Sequence, residues 1–122
     1  MRALVLVSAT LALASAFAGA AESRNASGLR GVVMRGPTTP VCYDESCEAP
    51  AKGLVLQFSR NGLIKAQVTT SQTGRYRVTL RPGRYAVTAP ALRPQQRLTP
   101  QFVRVPRGRV GRIDLHVDTG LQ

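Results

Sequence analysis

The chain has 122 residues, of which 17 are lysine or arginine and six are acidic, so its formal net charge is +11 at pH 7. A single domain of this length can fold alone and bury roughly two thirds of the surface that its unfolded chain exposes. Hydrophobic residues make up 43% of the chain. That content is enough for one core and excludes a wholly disordered basic tail.

The first twenty residues have the pattern of a secretory signal peptide. A positive start at Met1-Arg2 precedes an alanine-rich apolar run over residues 3–17, and residues 18–20 supply small side chains before a cleavage site. The apolar run is shorter than the about 20 residues that span a bilayer, which disfavours a membrane anchor. The sequence predicts an extracytoplasmic protein, either secreted or held in the periplasm or cell envelope. Cleavage would lower the net charge from +11 to +10 and leave no membrane-spanning segment.

After a loose polar segment at residues 21–27, apolar and polar residues alternate with a period of two, and no helical period is present. Turn signals separate seven such segments, which we predict to be strands. These strands lie near residues 28–34, 54–59, 64–70, 75–80, 85–89, 102–105 and 110–117. One face of an antiparallel sheet packs while the other is wet, so this pattern predicts a single seven-stranded antiparallel β-sandwich over residues 28–118. Residues 119–122 form a short tail.

Asn61-Gly62 is the strongest hairpin signal in the chain. It predicts a tight turn between the second and third strands. The alternation on the return strand predicts one face of inward-pointing residues and one of outward-pointing residues. The inward set is Ile64, Ala66, Val68 and Thr70, and the outward set is Lys65, Gln67 and Thr69.

Arginine and apolar residues alternate through residues 73–90, with a turn at Pro82-Gly83. The pattern predicts a second hairpin in which Tyr76 and Tyr85 are buried and pack against each other. The arginines of these strands are then predicted to lie on the solvent-exposed face of the sheet. Bases stack on aromatic rings, so a nucleic-acid surface would need aromatic residues on the arginine face, and the two tyrosines are predicted to point the other way.

The segment TTSQTGRYRVTLRPGRYAVTA, residues 69–89, resembles the signature T-x-x-x-G-x-Y-x-V-x-L-x-P-G-x-Y-x-V of carboxypeptidase regulatory-like domains, which are prealbumin-like (transthyretin-like) sandwiches. The matching positions are Thr70, Gly74, Tyr76, Val78, Leu80, Pro82, Gly83, Tyr85 and Val87. The resemblance is to small secreted members from high-GC bacteria and covers about residues 28–118. It implies the sandwich fold and a structural or binding role, while each signature position also has a purely folding explanation.

The sequence predicts no enzymatic activity and no cofactor or metal. A catalytic zinc site takes three protein ligands, and His116 is the only histidine. Its neighbours are apolar, so we expect an outward-facing strand residue there. The family that residues 69–89 resemble is also related to the B repeats of Gram-positive surface adhesins. Those repeats often close an isopeptide bond between a lysine on the first strand and an asparagine on the last, and we expect no such bond here. Residues 28–34 contain no lysine and residues 110–122 no asparagine.

Both cysteines lie in the proline-rich loop over residues 36–52. In an exported chain Cys42 and Cys47 are predicted to form a disulfide that stiffens this loop. Asp44, Glu45 and Glu48 make the same loop acidic. Loop carboxylates suit calcium, but their spacing matches no recognised calcium loop, which favours a solvated loop paired with nearby cations.

Fifteen arginines against two lysines is a bias that GC-rich coding also produces. The net charge nevertheless attracts anionic surfaces. The densest basic group is the candidate basic patch Arg104, Arg107, Arg109 and Arg112. Two functions remain open: a module that binds an unknown protein or glycan at the envelope, and an electrostatic binder of anionic polymers such as wall polymers, lipid headgroups or nucleic acid.

Overall fold

The computed structural model describes residues 26–39, 41 and 47–121, and these residues form ten strands and no helix. The strands are β1 (Gly28–Gly36), β2 (Ala49–Pro50), β3 (Val55–Arg60), β4 (Leu63–Thr69), β5 (Arg75–Thr79), β6 (Gly83–Thr88), β7 (Arg97–Thr99), β8 (Phe102–Val105), β9 (Val110–Arg112) and β10 (Leu115–Asp118). Within these ranges no helix is present that is long and apolar enough to cross a membrane. The predicted signal peptide lies outside the described residues.

The strands form two sheets that pack as a sandwich, which confirms the predicted all-β fold. Sheet I has six strands in the order β2-β1-β10-β7, with β5 and β9 also paired to β1, and sheet II has four in the order β4-β3-β6-β8. Inward-pointing residues of both sheets make one core. Its largest fully buried side chains are Phe58, Leu29, Leu56, Val33 and Val105.

Strand β1 organises sheet I because it pairs along its whole length. Its first half pairs antiparallel with β5 and parallel with β9, and its second half pairs parallel with β10 and antiparallel with β2. The sandwich is therefore not purely antiparallel, and it has ten strands in the described part of the chain rather than seven. Long connections through sheet II bring β9 and β10 back alongside β1 in the same direction, as parallel pairing requires.

The predicted last strand is split into β9 and β10 around Ile113 and Asp114. At this break, side-chain hydrogen bonds replace part of the backbone hydrogen bonding between strands. The Tyr76 hydroxyl donates to the Ile113 carbonyl at 2.5 Å, and Asp114 Oδ1 accepts the Val32 N–H at 3.0 Å. The alternation in the sequence continues through this break, so pattern alone gave one strand.

The β3–β4 hairpin confirms the Asn61-Gly62 turn, whose two residues have φ of 54° and 77° as a type I′ turn requires. A β-bulge then changes the register of β4. Phe58 pairs with Ala66 but Ser59 pairs with Ile64, which leaves Lys65 as the extra residue. The extra residue reverses the alternation, so the prediction that Ile64 points inward is wrong, and its side chain is 58% exposed.

The segment at 73–90 is not a hairpin, although its inward row is buried as predicted. Strand β5 pairs with β1 in sheet I, whereas β6 pairs with β3 and β8 in sheet II. The link at Pro82 therefore carries the chain from one sheet to the other. Tyr76 packs on Phe58, with ring centroids 6.1 Å apart, rather than on Tyr85. The Tyr85 hydroxyl donates to the Arg81 carbonyl at 2.8 Å.

Candidate anion-binding surface

Three arginines lie side by side on the outer face of sheet I. Arg30 of β1 is directly opposite Arg77 of β5 and also opposite Arg112 of β9. All three side chains are exposed. Residues in register on neighbouring strands point to the same face, and strands are about 4.8 Å apart, so three guanidinium groups share a strip about 10 Å wide. We call these residues the arginine row.

Little negative charge balances the arginine row. Asp114 is its one acidic partner among the described residues, with Oδ1 3.4 Å from Arg112 Nε. The same oxygen also accepts the Val32 N–H, and both side chains of the ion pair are more than half exposed. Such exposed pairs contribute about 0–1 kcal/mol. The row therefore keeps a local excess of positive charge that an external anion could neutralise.

The described chain as a whole is strongly cationic. Residues 26–39, 41 and 47–121 contain thirteen arginines and two lysines against the three acids Glu48, Asp114 and Asp118. Of these acids, Asp114 pairs with Arg112 and Glu48 Oε1 lies 3.0 Å from His116 Nε2. Burial, with the nearby Asp114 carboxylate as a smaller cause, raises the pKa of Tyr76 well above its ordinary value. Its hydroxyl therefore stays protonated and continues to donate to the backbone.

The predicted basic patch extends over both sheets. Arg112 belongs to the arginine row on sheet I, whereas Arg104 lies on sheet II opposite Arg84. Arg107 and Arg109 flank the turn that connects β8 to β9, and all four predicted residues are exposed. The four arginines are therefore distributed over both sheets and the turn between them, and they do not form one compact patch.

Sequence reasoning missed Arg30 and Arg77 as neighbours of Arg112. Arg30 is more than forty residues from Arg77 and about eighty from Arg112 along the chain. Each lies on a polar position of its own strand, which the alternation did predict. The register that aligns the three strands has no signal in a single sequence, so their juxtaposition could not be predicted.

The outer face of sheet II carries an exposed aromatic residue that sequence analysis also missed. Phe102 is 54% exposed, and the Arg84 guanidinium carbon lies 4.4 Å from its ring centroid. Cross-strand pairing places Ile64, Ser59, Ala86 and Phe102 in one line across the sheet. Tyr76 and Tyr85 are buried as predicted, but Phe102 places one aromatic ring beside an arginine on the outer face of sheet II.

The remaining candidate residues belong mainly to the loop before β2. Cys42, Asp44 and Glu45 lie outside the described residues, so the disulfide between Cys42 and Cys47 and a calcium site both stay predictions. His116 is half-buried on β10 and contacts Glu48 from that loop. No group of three or more histidine, cysteine or acidic side chains suited to a metal ion occurs in the part of the chain that the structure describes.

Comparison with known proteins supports the fold alone. No protein-family model matches the chain, and no curated protein matches it. Among solved structures it is similar to the minor pilin GBS52 of the Gram-positive pathogen Streptococcus agalactiae, with 12% identity and a TM-score of 0.51 over 76% of this chain and 44% of the pilin. It is also similar to the Bacillus anthracis TIE protein, with 21% identity and a TM-score of 0.53 over 77% of this chain and 16% of that protein.

The chain spans less than half the length of either solved structure. At these identities the likeness shows a shared β-sandwich. The narrower prealbumin-like family, which the segment at 69–89 resembles, stays a prediction.

Proposed function

We propose that the chain is a non-enzymatic β-sandwich module that acts outside the cytoplasm and binds an anionic polymer of the cell envelope through the arginine row. The observation that carries the proposal is the register of Arg30, Arg77 and Arg112 on one exposed face, with a single acidic partner among the residues that the structure describes. Guanidinium groups match phosphate and carboxylate geometry and hydrogen-bond them strongly. The sheet fixes the spacing of the three backbone positions, so binding has to order only the arginine side chains.

Support for an extracytoplasmic role comes from the signal-like residues 1–20 and from the cysteine pair, which suits an oxidising compartment. The fold is one that a minor pilin of a Gram-positive pathogen also uses. Support for a non-enzymatic role comes from the sequence content. The chain has a single histidine, His116, and its Nε2 lies 3.0 Å from Glu48 Oε1 at the surface.

A second candidate function is the binding of a protein partner without an anionic polymer. The observation that favours it is the exposure of Ile64 and Phe102 on the outer face of sheet II. Binding through such apolar side chains resists salt, whereas binding through the arginine row weakens steeply as salt screens exposed charges. The two functions are therefore distinguishable in one binding series.

The test is the affinity of residues 21–122 for labelled polyphosphate at low and at physiological ionic strength. The variant Arg30→Gln/Arg77→Gln removes two charges from the arginine row. Its matched control, Arg93→Gln/Arg97→Gln, removes two exposed charges elsewhere, where Arg97 already lies opposite Asp118. We expect the row variant to lose about tenfold or more in affinity and the control to lose much less.

Equal losses in the two variants would show that net charge alone attracts the polymer, which contradicts a role for the row. Capture of a partner from the organism's envelope fraction that survives high salt, and that the row variant retains, would favour the second candidate instead.

A further inference from the structure

An open cleft lies between the two sheets at one end of the sandwich. It has a volume of about 830 Å³, and its walls come from the β3–β4 hairpin, the link between β5 and β6, and the residues that precede β1. Ligand pockets in proteins typically measure about 300–1,000 Å³. The cleft is thus large enough for a small organic molecule rather than for a single ion. It is separate from the arginine row, which lies on the outer face of sheet I.

The cleft is cationic. Its lining includes Arg60, Lys65 and Arg81, and no acidic residue lines it among the residues described. The Arg60 guanidinium donates from Nη1 to a neutral oxygen, the Pro82 carbonyl, at 3.4 Å. Within the described part of the chain, the three cations around this concave space therefore have no carboxylate partner in it.

Lys65 is the extra residue of the bulge in β4, between Ile64, which pairs with Ser59, and Ala66, which pairs with Phe58. Its side chain is exposed and lines the cleft, and Ile64 is exposed as well. Bulges that re-aim a side chain are over-represented next to functional sites.

Arg60 is held in place by its surroundings. Its guanidinium carbon is 5.8 Å from the Tyr85 ring centroid, and its Nη1 donates to Pro82. Gly83 leaves the space that this arrangement needs, because a Cβ added there would lie 2.7 Å from Arg60 Nη1. A guanidinium has five N–H donors, so the anchored group retains donors for a ligand.

The cleft also offers neutral hydrogen-bonding groups. Asn61 and Thr79 line it, and so does Ser27, whose Oγ accepts the Gly108 N–H at 2.9 Å and keeps its own hydroxyl hydrogen to donate. Groups of this kind pair with hydroxyls of a ligand. Together with the cations, they match a molecule that carries one charged end and several hydroxyl groups.

We propose that this cleft binds a phosphate monoester of a sugar or polyol, with Arg60, Lys65 and Arg81 around the phosphate and the neutral side chains toward the hydroxyls. Such a group occurs both in free sugar phosphates and at the end of a phosphate-containing polymer chain. The proposal does not depend on the arginine row, because the two sites share no residue.

The experiment is an NMR titration of residues 21–122, reading backbone amide shifts, with four probes: glucose 6-phosphate, glucose, inorganic phosphate and a glycerol phosphate oligomer with a terminal monoester. We expect glucose 6-phosphate to shift the amides around Asn61, Lys65 and Arg81, to bind more tightly than phosphate alone, and glucose to have no effect. Tighter binding of the oligomer identifies a polymer end as the source, and tighter binding of glucose 6-phosphate identifies a free metabolite.

The variant Lys65→Gln/Arg81→Gln should weaken binding of glucose 6-phosphate by about tenfold or more while leaving the polyphosphate affinity of the arginine row much less changed. Its matched control is Arg84→Gln/Arg104→Gln, which removes the same charge from the outer face of sheet II. Thermal unfolding checks that both variants fold. If the shifts map to the arginine row, or if both variants lose the same affinity, the proposal is overturned. If the row variant does not weaken polyphosphate binding, the proposed function of the arginine row is contradicted, but the binding of glucose 6-phosphate in the cleft is unaffected.

Discussion

Arg30 of β1 lies directly opposite Arg77 of β5 on an exposed sheet face. Like charges in a directly opposed cross-strand pair destabilise a sheet, by an amount comparable to the about 0.2–1 kcal/mol that a favourable pair contributes. Arg112 on the other side of Arg30 adds to this repulsion. The central residue of the arginine row is therefore flanked by positive charge on both neighbouring strands.

The first prediction concerns the loss of folding stability caused by repulsion within the arginine row. Arg30→Thr should increase the free energy of unfolding by about 0.2–1 kcal/mol at low ionic strength, because it removes both repulsive neighbours and places a good strand former there. The gain should shrink as salt is added. Denaturant unfolding at two salt concentrations measures it. Arg97→Thr is the control, since Arg97 lies opposite Asp118 and should show no such gain. A loss of stability in Arg30→Thr at low salt would contradict the repulsion.

The second prediction concerns Thr70, which is 4% exposed. Its hydroxyl donates to the Ala51 carbonyl and accepts the Leu54 N–H at 2.8 Å, so it joins the end of β4 to the segment before β3. Thr70→Val keeps the shape but leaves both backbone groups without this partner, and should lower the free energy of unfolding by about 1–3 kcal/mol. Thr70→Ser keeps the hydroxyl and should lose less. If the serine variant loses more than the valine variant, packing rather than hydrogen bonding is the main role of Thr70.

The third prediction concerns Gly74, whose φ is +78° and where an added Cβ would lie 2.5 Å from the Val33 carbonyl oxygen. Gly74→Ala combines a left-handed backbone cost of about 1–2 kcal/mol with a clash against backbone. Gly53→Ala is a matched control, since Gly53 has φ +65° and nothing within 4 Å of the added Cβ. Unfolding measurements should show a clearly larger loss for Gly74→Ala. Equal losses would mean that the approach of Gly74 to β1 relaxes without cost.

The fourth prediction concerns alkaline pH. The buried Tyr76 hydroxyl has a raised pKa, so in the folded protein it keeps its proton at pH values where the unfolded chain, with a tyrosine pKa near about 10, loses it. The unfolded state then binds fewer protons than the native state, and stability must fall as pH rises above about 10. Tyr76→Phe should be less stable at neutral pH by about 1 kcal/mol, because the bond to Ile113 is lost, and should show a shallower decline above pH 10. Parallel declines in the two proteins would exclude Tyr76 as the cause.

The buried rows were predictable because alternation is a property of each strand by itself. Tyr76, Val78, Tyr85 and Val87 are all buried, and the Asn61-Gly62 turn has the positive φ angles that its residues favour. These features depend on local chemistry, which a single sequence contains.

Features that depend on contacts between distant segments could not be predicted. Pro82-Gly83 reverses the chain as expected, but whether the next strand joins the same sheet or the opposite one is decided by packing in the whole core. The bulge at Lys65 leaves no mark in the alternation, and the arginine row exists only through the pairing of β1 with β5 and β9. The sequence thus predicted that the arginines of the proposed binding surface are exposed, but it did not predict that they lie next to one another.

The most direct test of the central claim is the salt dependence of binding to a single-stranded oligothymidylate, used as a simple phosphodiester chain. For single strands the slope of log affinity against log salt changes by about 0.7 for each phosphate contact. Arg30→Gln/Arg77→Gln/Arg112→Gln should therefore reduce the magnitude of the slope by about 2. A control with three exposed arginines replaced elsewhere, at Arg84, Arg93 and Arg97, should leave the slope nearly unchanged. An unchanged slope in the row variant, or the same reduction in the control, would contradict the account.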